Sequence, residues 1–206
     1  MRTRIKICGI TSVADGLAAA EAGADAIGFV FYAKSPRYVA PAVAATIARA
    51  LPPFVDVVAL FVNEAPETVR AVLAEVPVNI LQFHGDEDET YCRQFNRPYY
   101  KAARVRPELD LVQYAASFPS AQAILLDAFV EGYGGGGHTF DWSLIPTALA
   151  RPIVLSGGLS VDNVTDAVRS VRPPAVDVSS GVEISKGVKD HAKIAAFIAG
   201  VRNADV

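Results

Sequence analysis

Residues 5–30 read IKICGITSVADGLAAAEAGADAIGFV and contain one complete structural repeat of the chain. The β-branched run Ile5–Cys8 is typical of a buried strand, and Ala26–Val30 is a second apolar strand. Between them, the alanine-rich stretch from Ser12 to Ala22 favours a helix that Gly23 closes. A strand, a helix and a strand in this order predict two parallel strands that are joined by a right-handed crossover.

The same alternation continues along the chain and gives eight strand–helix pairs in 206 residues. After the first strand, the predicted strands are Ala26–Val30, Val55–Val62, Val78–Phe83, Tyr99–Ala103, Ala123–Leu126, Ile153–Leu155 and Val176–Val178. After the first helix, the predicted helices are Pro41–Leu51, Pro66–Glu75, Glu87–Phe95, Pro107–Ser117, Trp142–Ala150, Val161–Val171 and His191–Val201. Pro41, Pro66 and Pro107 are expected at or near first-turn positions, where a missing N–H costs nothing.

Eight alternating pairs without a break in composition predict an α/β fold of one domain over residues 1–206, a (β/α)8 TIM barrel. A doubly wound open sheet is the alternative. Such a sheet normally carries a glycine fingerprint after its first strand, and residues 8–11 read CGIT at that position. The barrel therefore fits the sequence better.

The composition excludes several classes of protein. With 51% hydrophobic and 20% charged residues, the chain can bury a sizeable core and is not disordered. A net charge of −3 gives no general attraction to nucleic acid or to an anionic membrane, so neither is expected as a partner. Two cysteines cannot form a disulfide framework, and three scattered histidines do not indicate a zinc site. Because no apolar run reaches signal-peptide or membrane-spanning length, we expect a cytoplasmic protein.

In a barrel of this type, functional groups lie at the C-terminal ends of the strands and in the loops that follow. After strands seven and eight the chain has small, glycine-bearing turns. Their backbone N–H groups and serine hydroxyls can bind a phosphate together with a helix N-terminus. The residues of these turns are Ser156, Gly157, Gly158, Ser179, Ser180 and Gly181. The structural alternative is that the glycines only permit tight turns.

Cys8 and Asp127 are the candidate proton-transfer groups, because each ends a predicted strand at this rim. Only a thiolate is a competent base, and a free thiol with a pKa of about 8.5 needs positive charge or oriented N–H groups nearby. Asp127 follows the apolar strand Ala123–Leu126, and a carboxyl group beside such walls can keep a proton and donate it. The structural alternatives are an inert buried thiol and a solvated aspartate that caps its loop. Cys92, away from the rim, is interpreted as structural, and no disulfide with Cys8 is expected.

Two further side chains and one loop belong to the same rim. Arg37 lies in a Ser-Pro-Arg-Tyr loop and suits the bidentate recognition of a carboxylate. His84 follows strand four and could line the pocket or take part in acid–base chemistry, although a lone histidine is often a hydrogen-bonded structural group. The glycine run at residues 134–137 favours a flap that closes over the site.

Taken together, these residues resemble a known family, the phosphoribosylanthranilate isomerases. The resemblance spans residues 4 to 200, with one motif for each barrel unit and all motifs in the right order. The matching segments are Lys6–Thr11, Gly28–Phe31 with Ser35–Tyr38, Leu60–Asn63, Gln82–Gly85, Leu125–Asp127, Phe140–Trp142, Leu155–Leu159, Asp177–Glu183 and Gly187–Asp190. Any one of them is weak by itself, whereas the ordered set is specific.

The resemblance implies the isomerisation of N-(5-phosphoribosyl)anthranilate to 1-(2-carboxyphenylamino)-1-deoxyribulose 5-phosphate, an Amadori rearrangement in tryptophan biosynthesis. Carried over by motif position, Asp127 is the general acid and Cys8 is the general base. Arg37 holds the anthranilate carboxylate, and His84 lines the same pocket. The phosphate-binding residues are Gly157, Gly158, Ser179, Ser180 and Gly181. No metal, nucleotide or redox cofactor is implied, and the expected partner is the phosphosugar substrate.

Two other functions are weighed against this one. The isomerase of histidine biosynthesis performs the same rearrangement on a bisphosphorylated substrate. It would need two catalytic aspartates, whereas strand one carries Cys8. A barrel that only binds phosphosugars need not keep both Cys8 and Asp127.

Family members commonly have Ser or Thr in place of Gly136, a departure that affects the flap more than the chemistry. The expected assembly is a monomer or a homodimer.

Overall fold

The computed structural model describes residues 2–129 and 139–205, and eight of its strands close into one parallel barrel in chain order. They are β1 (Arg4–Cys8), β2 (Ala26–Val30), β3 (Asp56–Phe61), β4 (Ile80–Phe83), β5 (Tyr99–Val105), β6 (Ala123–Ala128), β7 (Ile153–Leu155) and β8 (Ala175–Val178). Each strand pairs with the next, and β1 pairs with β8, so the barrel has no free edge. The predicted (β/α)8 barrel is confirmed.

The described part of the chain has seven α-helices, of which the first six lie between barrel strands and the seventh follows the last strand. They are α1 (Val13–Ala22), α2 (Pro41–Ala50), α3 (Pro66–Glu75), α4 (Glu89–Arg93), α5 (Leu111–Ala116), α6 (Val164–Val171) and α7 (His191–Ala204). The ends of α1 form as predicted, because the Ser12 side chain accepts from the Asp15 N–H and Gly23 adopts a left-handed φ of 100°. Pro41 and Pro66 occupy the first turns of their helices.

The predicted helix Trp142–Ala150 is wrong. Only one turn of 3-10 helix forms there, over Trp142–Leu144. Pro146 explains the early end, because a proline disfavours helical backbone in the residue before it and cannot donate its own hydrogen bond. Ile145 accordingly adopts extended backbone with φ −79° and ψ 117°.

One other expectation is wrong, and one element was not predicted. Pro107 is not in the first turn of its helix, because α5 begins only at Leu111, where the Asp110 side chain accepts from the N–H groups of Val112 and Gln113. The sequence interpretation also missed a hairpin in the loop after β8. It consists of β9 (Glu183–Ser185) and β10 (Val188–Lys189), which pair antiparallel.

The side chains of each barrel strand alternate between two environments, and this alternation decides which residues reach the site. On β1, Ile5 and Ile7 belong to the large apolar core that includes side chains of the surrounding helices. Lys6 points the other way, because its ammonium group bonds to Gln82 of the non-adjacent strand β4 at 3.0 Å. Such a bond has to cross the barrel interior. Cys8, two residues further on, shares that inward side of the strand.

The glycine run at residues 134–137, which predicts the flap, lies outside the described residues, as does Gly136 within it. In the described ranges 2–129 and 139–205, no helix is both long enough and apolar enough to cross a membrane.

Candidate active site at the carboxyl end of the barrel

The loops after β1, β2 and β8 converge on one side of the rim. Gly9 directly follows β1 and has a φ of 75°. A Cβ atom at this position would lie 2.7 Å from Cδ of Arg37 and 3.0 Å from Oγ of Ser179. The Thr11 hydroxyl donates to the carbonyl of Gly187 at 2.7 Å, which joins the β1 loop to the β9–β10 hairpin. Three of the predicted site loops are therefore in contact.

Cys8 lies in the mouth of the barrel with 5% of its surface exposed. A Cβ atom on Gly28 of β2 would lie 2.9 Å from Sγ of Cys8 and 3.0 Å from Nζ of Lys6, so thiol and ammonium group meet at this glycine. Burial raises the pKa of the Cys8 thiol, while the charge of Lys6 and a hydrogen bond from it oppose that rise. The positive charge that a thiolate would need is thus supplied by the chain itself. Cys92 is a second free, buried thiol.

Lys6 begins a line of hydrogen bonds through the barrel interior. Its Nζ lies 2.9 Å from Oδ1 of Asp177 and 3.0 Å from Oε1 of Gln82. Nε2 of Gln82 lies 3.0 Å from Nδ1 of His84, and Nε2 of His84 lies 3.0 Å from Oδ2 of Asp127. We call Lys6, Gln82, His84 and Asp127 the interior polar chain. Burial is the largest single influence and lowers the pKa of Lys6, but the charges of Asp177, Cys8 and Tyr100 and the hydrogen bond to Asp177 together outweigh it, and the pKa of Lys6 is raised.

Asp127 is held from both sides at the end of β6. Its Oδ1 accepts from the N–H of Ala128 at 2.9 Å, and its Oδ2 faces His84. The turn after β7 packs directly against this carboxylate. Gly157 has a φ of 77°, and a Cβ atom there would lie 2.3 Å from the Ala128 nitrogen and 3.0 Å from Oδ1 of Asp127. Position 157 therefore requires glycine, because its φ is positive and no Cβ atom fits there.

His84 uses both of its ring nitrogens within the protein. It is 7% exposed, with Gln82 on Nδ1 and Asp127 on Nε2. The sequence left a pocket-lining role and an acid–base role open. With both nitrogens occupied, the ring reaches other groups only through its face or its C–H edges, and its polar contact with the site passes through Asp127.

Arg37 is at the predicted rim, and its carboxylate partner in the structure is Glu183. Nε and Nη2 of Arg37 lie 2.7 and 2.8 Å from the two oxygens of Glu183, and that pairing raises the pKa of Arg37. A guanidinium has five N–H donors, so the edge formed by Nη1 and Nη2 still has donors for a second carboxylate. Nζ of Lys189 lies 3.0 Å from Glu183 and 3.0 Å from the carbonyl of Ser179. Two cations and one anion give this corner a net positive charge.

The two turns that are predicted to bind phosphate lie side by side. Gly157 and Gly158 have φ values of 77° and 66°, and a β-bridge joins Ser160 to Gly181. The side chain of Asn163 clamps the first turn, since its amide nitrogen donates to the Gly158 carbonyl and its oxygen accepts from the Ser160 N–H, both at 2.9 Å. Both turns are therefore held in one arrangement in which their amides can act together.

The residues that the sequence interpretation missed are inside the barrel or paired with Arg37. They are Lys6, Gln82, Asp177 and Glu183. The sequence contains a signal for Lys6, Gln82 and Asp177, because each is a charged or amide side chain within an otherwise apolar strand, β1, β4 or β8. In a closed barrel such a residue has to find its partner inside. No group of three or more His, Cys, Asp or Glu side chains in the described part of the chain has the arrangement of a metal site.

Comparisons with known proteins agree with these features. The family described as N-(5'phosphoribosyl)anthranilate (PRA) isomerase matches residues 5–200. An N-(5'-phosphoribosyl)anthranilate isomerase of Dechloromonas aromatica is 69% identical over 205 residues, which cover 100% of this chain and 99% of that protein.

Solved structures show the same likeness. The phosphoribosyl anthranilate isomerase of Thermotoga maritima is 47% identical, with a TM-score of 0.90 over 98% of this chain and 99% of the other. A second structure, at 42% identity and a TM-score of 0.84 over the same shares, is a complex with reduced 1-(o-carboxyphenylamino)-1-deoxyribulose 5-phosphate. A third contains monomers generated from the dimeric Thermotoga maritima enzyme, with 43% identity and a TM-score of 0.86, again over 98% and 99% of the two chains.

Proposed function

Because the chain belongs to the family of N-(5'-phosphoribosyl)anthranilate isomerases, enzymes of tryptophan biosynthesis, we propose that Cys8 and Asp127 divide the proton transfers of its reaction between them. The reaction converts N-(5-phosphoribosyl)anthranilate into 1-(2-carboxyphenylamino)-1-deoxyribulose 5-phosphate. The observation that carries the assignment of roles is the different surroundings of the two groups. Asp127 has the N–H of Ala128 as a donor for the carboxylate that proton loss creates, with the His84 ring 3.0 Å from its other oxygen, and Cys8 has an ammonium group beside its sulfur.

The first step is the opening of the sugar ring. Asp127 gives its proton to the ring oxygen while the bond between that oxygen and C1 breaks, and the anthranilate nitrogen supplies the electron pair for a C1–N double bond. The product is a protonated Schiff base, and its positive charge acidifies the hydrogen on C2. Asp127 is left as a carboxylate, which the N–H of Ala128 stabilises.

In the second step the Cys8 thiolate removes the proton from C2. The C2–H electron pair forms a C1–C2 double bond, and the electrons of the C1–N double bond return to nitrogen, which gives an enolamine. A proton on C1 and loss of the proton from the C2 hydroxyl then yield the ketone. Both Lys6 and the iminium charge of the substrate favour the thiolate form of Cys8. Each positioned proton-transfer group is worth about 10²–10⁴-fold in rate.

Two anionic clamps are proposed to hold the substrate across the barrel mouth. The phosphate is assigned to the paired turns that contain Gly157, Gly158, Ser179, Ser180 and Gly181. The anthranilate carboxylate is assigned to Arg37, whose remaining guanidinium edge suits a planar two-oxygen ligand. Lys189 and Arg37 outnumber the single carboxylate of Glu183, so the corner attracts an anion. Holding both ends of the substrate places the reacting carbons between the acid and the base.

The carboxylate clamp is tested with Arg37→Ala. We expect KM for the substrate to rise about 10- to 100-fold, the usual effect of losing charge-assisted hydrogen bonds, with a smaller change in kcat. Arg37→Lys keeps the charge but not the planar edge, and it should recover only part of the affinity. Steady-state kinetics of both variants are the measurement. A KM unchanged in Arg37→Ala would remove this residue from the carboxylate site.

The surroundings of Cys8 predict when its thiol ionises. Since burial raises its pKa, the thiol keeps its proton at pH values where an ordinary thiol has lost it, and thiolate forms only as pH rises further. Ultraviolet thiolate absorbance of the ligand-free chain minus that of Cys8→Ala should therefore develop above pH of about 8.5. Cys92 is present in both proteins, so its absorbance cancels in the difference. A signal already complete at neutral pH would contradict the assignment of burial as the main influence.

The proposed activity is tested by the loss of substrate fluorescence when the purified chain is mixed with phosphoribosylanthranilate in the presence of a chelator. We expect consumption far above the rate in buffer alone, because the proposed mechanism assigns both the opening of the ring and the removal of the C2 proton to side chains. A folded chain that binds the reduced product analogue and does not consume the substrate would instead be a phosphosugar-binding barrel, and that result would overturn the proposal.

We further propose that residues 1–206 form one cytoplasmic domain, present as a monomer or a homodimer. The continuous barrel from β1 to α7 supports the single domain, and the dimeric relative from Thermotoga maritima supports a small assembly. Sedimentation velocity separates the monomer from the homodimer, and a larger assembly would contradict both.

A further inference from the structure

The interior polar chain has one feature that the reaction steps above do not use, which is its direction. Lys6 is a donor only, since an ammonium group has no acceptor. It therefore requires the oxygen of the Gln82 amide to face it, at 3.0 Å. The amide nitrogen must then face His84, where Nδ1 lies 3.0 Å away. The Lys6 ammonium group, which can only donate, therefore fixes the orientation of the Gln82 amide.

The consequence passes through the imidazole ring. An amide NH2 group can only donate, so Nδ1 of His84 has to be the unprotonated acceptor. In the neutral ring the proton is then on Nε2, 3.0 Å from Oδ2 of Asp127. The other carboxylate oxygen accepts from the Ala128 N–H at 2.9 Å. Both oxygens of Asp127 thus face a donor. In the opposite tautomer, a lone pair on Nε2 would face the carboxylate.

We infer that Gln82 is a positioning residue for the isomerisation, because it transmits the donor-only character of Lys6 to His84 and keeps the Nε2–H of His84 on the carboxylate of Asp127. The inference rests on the proposed role of Asp127 as general acid. The donor matters at the moment of ring opening, when the proton leaves and negative charge develops on Asp127. A donor already in place stabilises that charge without rearrangement.

Burial makes this arrangement hard to reverse. Gln82 is completely buried, and the side chains of Lys6 and Asp177 are each 6% exposed. Turning the amide over would place its NH2 group against the ammonium of Lys6 and its oxygen against Nδ1, which would cost two buried hydrogen bonds. Among the described residues, the charged or titratable groups that face Lys6 are Asp177, Cys8 and Tyr100, and Asp127 faces His84.

The test is Gln82→Glu, which has nearly the same shape and reverses the hydrogen bonding. A carboxylate accepts from Lys6 and also from His84, so Nδ1 of His84 must gain a proton. Two states are then possible. In one, the His84 ring is doubly protonated and Asp127 is already a carboxylate. In the other, the ring is neutral and Asp127 donates its proton to Nε2. In both states it is a poorer acid for the sugar. We expect kcat to fall about 10- to 100-fold, the range for a lost hydrogen bond to a charged group, with KM within about threefold.

The tautomer is read directly by nitrogen NMR of the histidine rings in the full chain. In the unaltered chain we expect an unprotonated Nδ1 and a protonated Nε2 for His84, and in Gln82→Glu a protonated Nδ1. His191, whose Nε2 lies 2.8 Å from Asp15, is the internal reference and should not change. A protonated Nδ1 in the unaltered neutral ring would overturn the inference. So would a Gln82→Glu variant with the original His84 spectrum and kcat within about twofold.

Two further variants complete the design. Gln82→Met has similar length and no hydrogen bonds, so His84 should populate both tautomers and kcat should fall, and this variant keeps the test available if Gln82→Glu does not fold. Asn79→Asp makes the same amide-to-acid change at the other end of β4, where the side-chain oxygen accepts from the Val57 N–H at 2.8 Å. It should leave the His84 spectrum and kcat unchanged. If the unaltered protein were inactive, that would count against the proposed roles of Cys8 and Asp127 in the isomerisation. The nitrogen spectrum of His84 would still decide the direction of the hydrogen bonds in the interior polar chain.

Discussion

The Cys8→Ala variant is expected to lose about 10²–10⁴-fold in kcat, the usual range for a positioned proton-transfer group. The substitution removes the sulfur of Cys8 from the barrel mouth, and no other side chain of the described residues is assigned to the C2 proton. Affinity for the reduced product analogue should change by less than about tenfold, or 1.4 kcal/mol, because the phosphate and carboxylate clamps are untouched. The measurements are steady-state kinetics and calorimetric titration with the analogue.

Cys92→Ala is the matched control. Cys92 is also a buried free thiol, and burial raises its pKa to about 12, but it lies in α4 outside the barrel interior. We expect this variant to keep its kcat. If Cys8→Ala turned over normally, or if Cys92→Ala lost as much activity, the general base would have been assigned to the wrong group.

The Asp127→Asn variant is expected to show a similar loss, again about 10²–10⁴-fold in kcat. Asparagine has the same shape, and its amide has no proton that it can give up at neutral pH, so the ring oxygen would have to leave without a general acid. The loss should appear in kcat and in kcat/KM alike, as for an interaction made only in the transition state. Analogue affinity should again stay within about tenfold.

Asp56→Asn provides the comparison for Asp127→Asn. Asp56 begins β3 at the opposite end of the barrel and is exposed. The same change of acid to amide there should leave both kcat and KM as they are. An Asp127→Asn variant that kept more than about a tenth of kcat would show that the general acid is another group.

The fold could be predicted from the sequence because local and global signals agree. Each apolar strand is followed by a segment of helical period, and eight such repeats without a glycine fingerprint after the first strand favour a closed parallel barrel over an open sheet. The errors lie where a single residue overrides the pattern. Pro146 ends the predicted helix after Trp142–Leu144, and the Asp110 cap rather than Pro107 sets the start of α5. The β9–β10 hairpin is too short to give a periodic signal.

The sequence could predict which residues lie at the rim of the barrel, but not which side chains they contact there. Cys8 and Asp127 could be chosen because strand ends in such a barrel face one rim. That Arg37 already pairs with Glu183, 146 residues away, depends on how the β9–β10 hairpin folds against the β2 loop. The partner of Lys6 inside the barrel depends on strand register. Register and loop packing are tertiary properties, and a single sequence carries little information about either.

The most direct test of the two-group mechanism is a crystal structure of this chain with the reduced product analogue bound. We expect Sγ of Cys8 on one side of the C1–C2 bond and the carboxylate of Asp127 at the hydroxyl that corresponds to the former ring oxygen, each within about 3–3.5 Å. The phosphate should lie against the turns at Gly157–Gly158 and Ser179–Gly181. A ligand separated from Sγ by another side chain, or an Asp127 carboxylate turned away from the sugar, would contradict the mechanism.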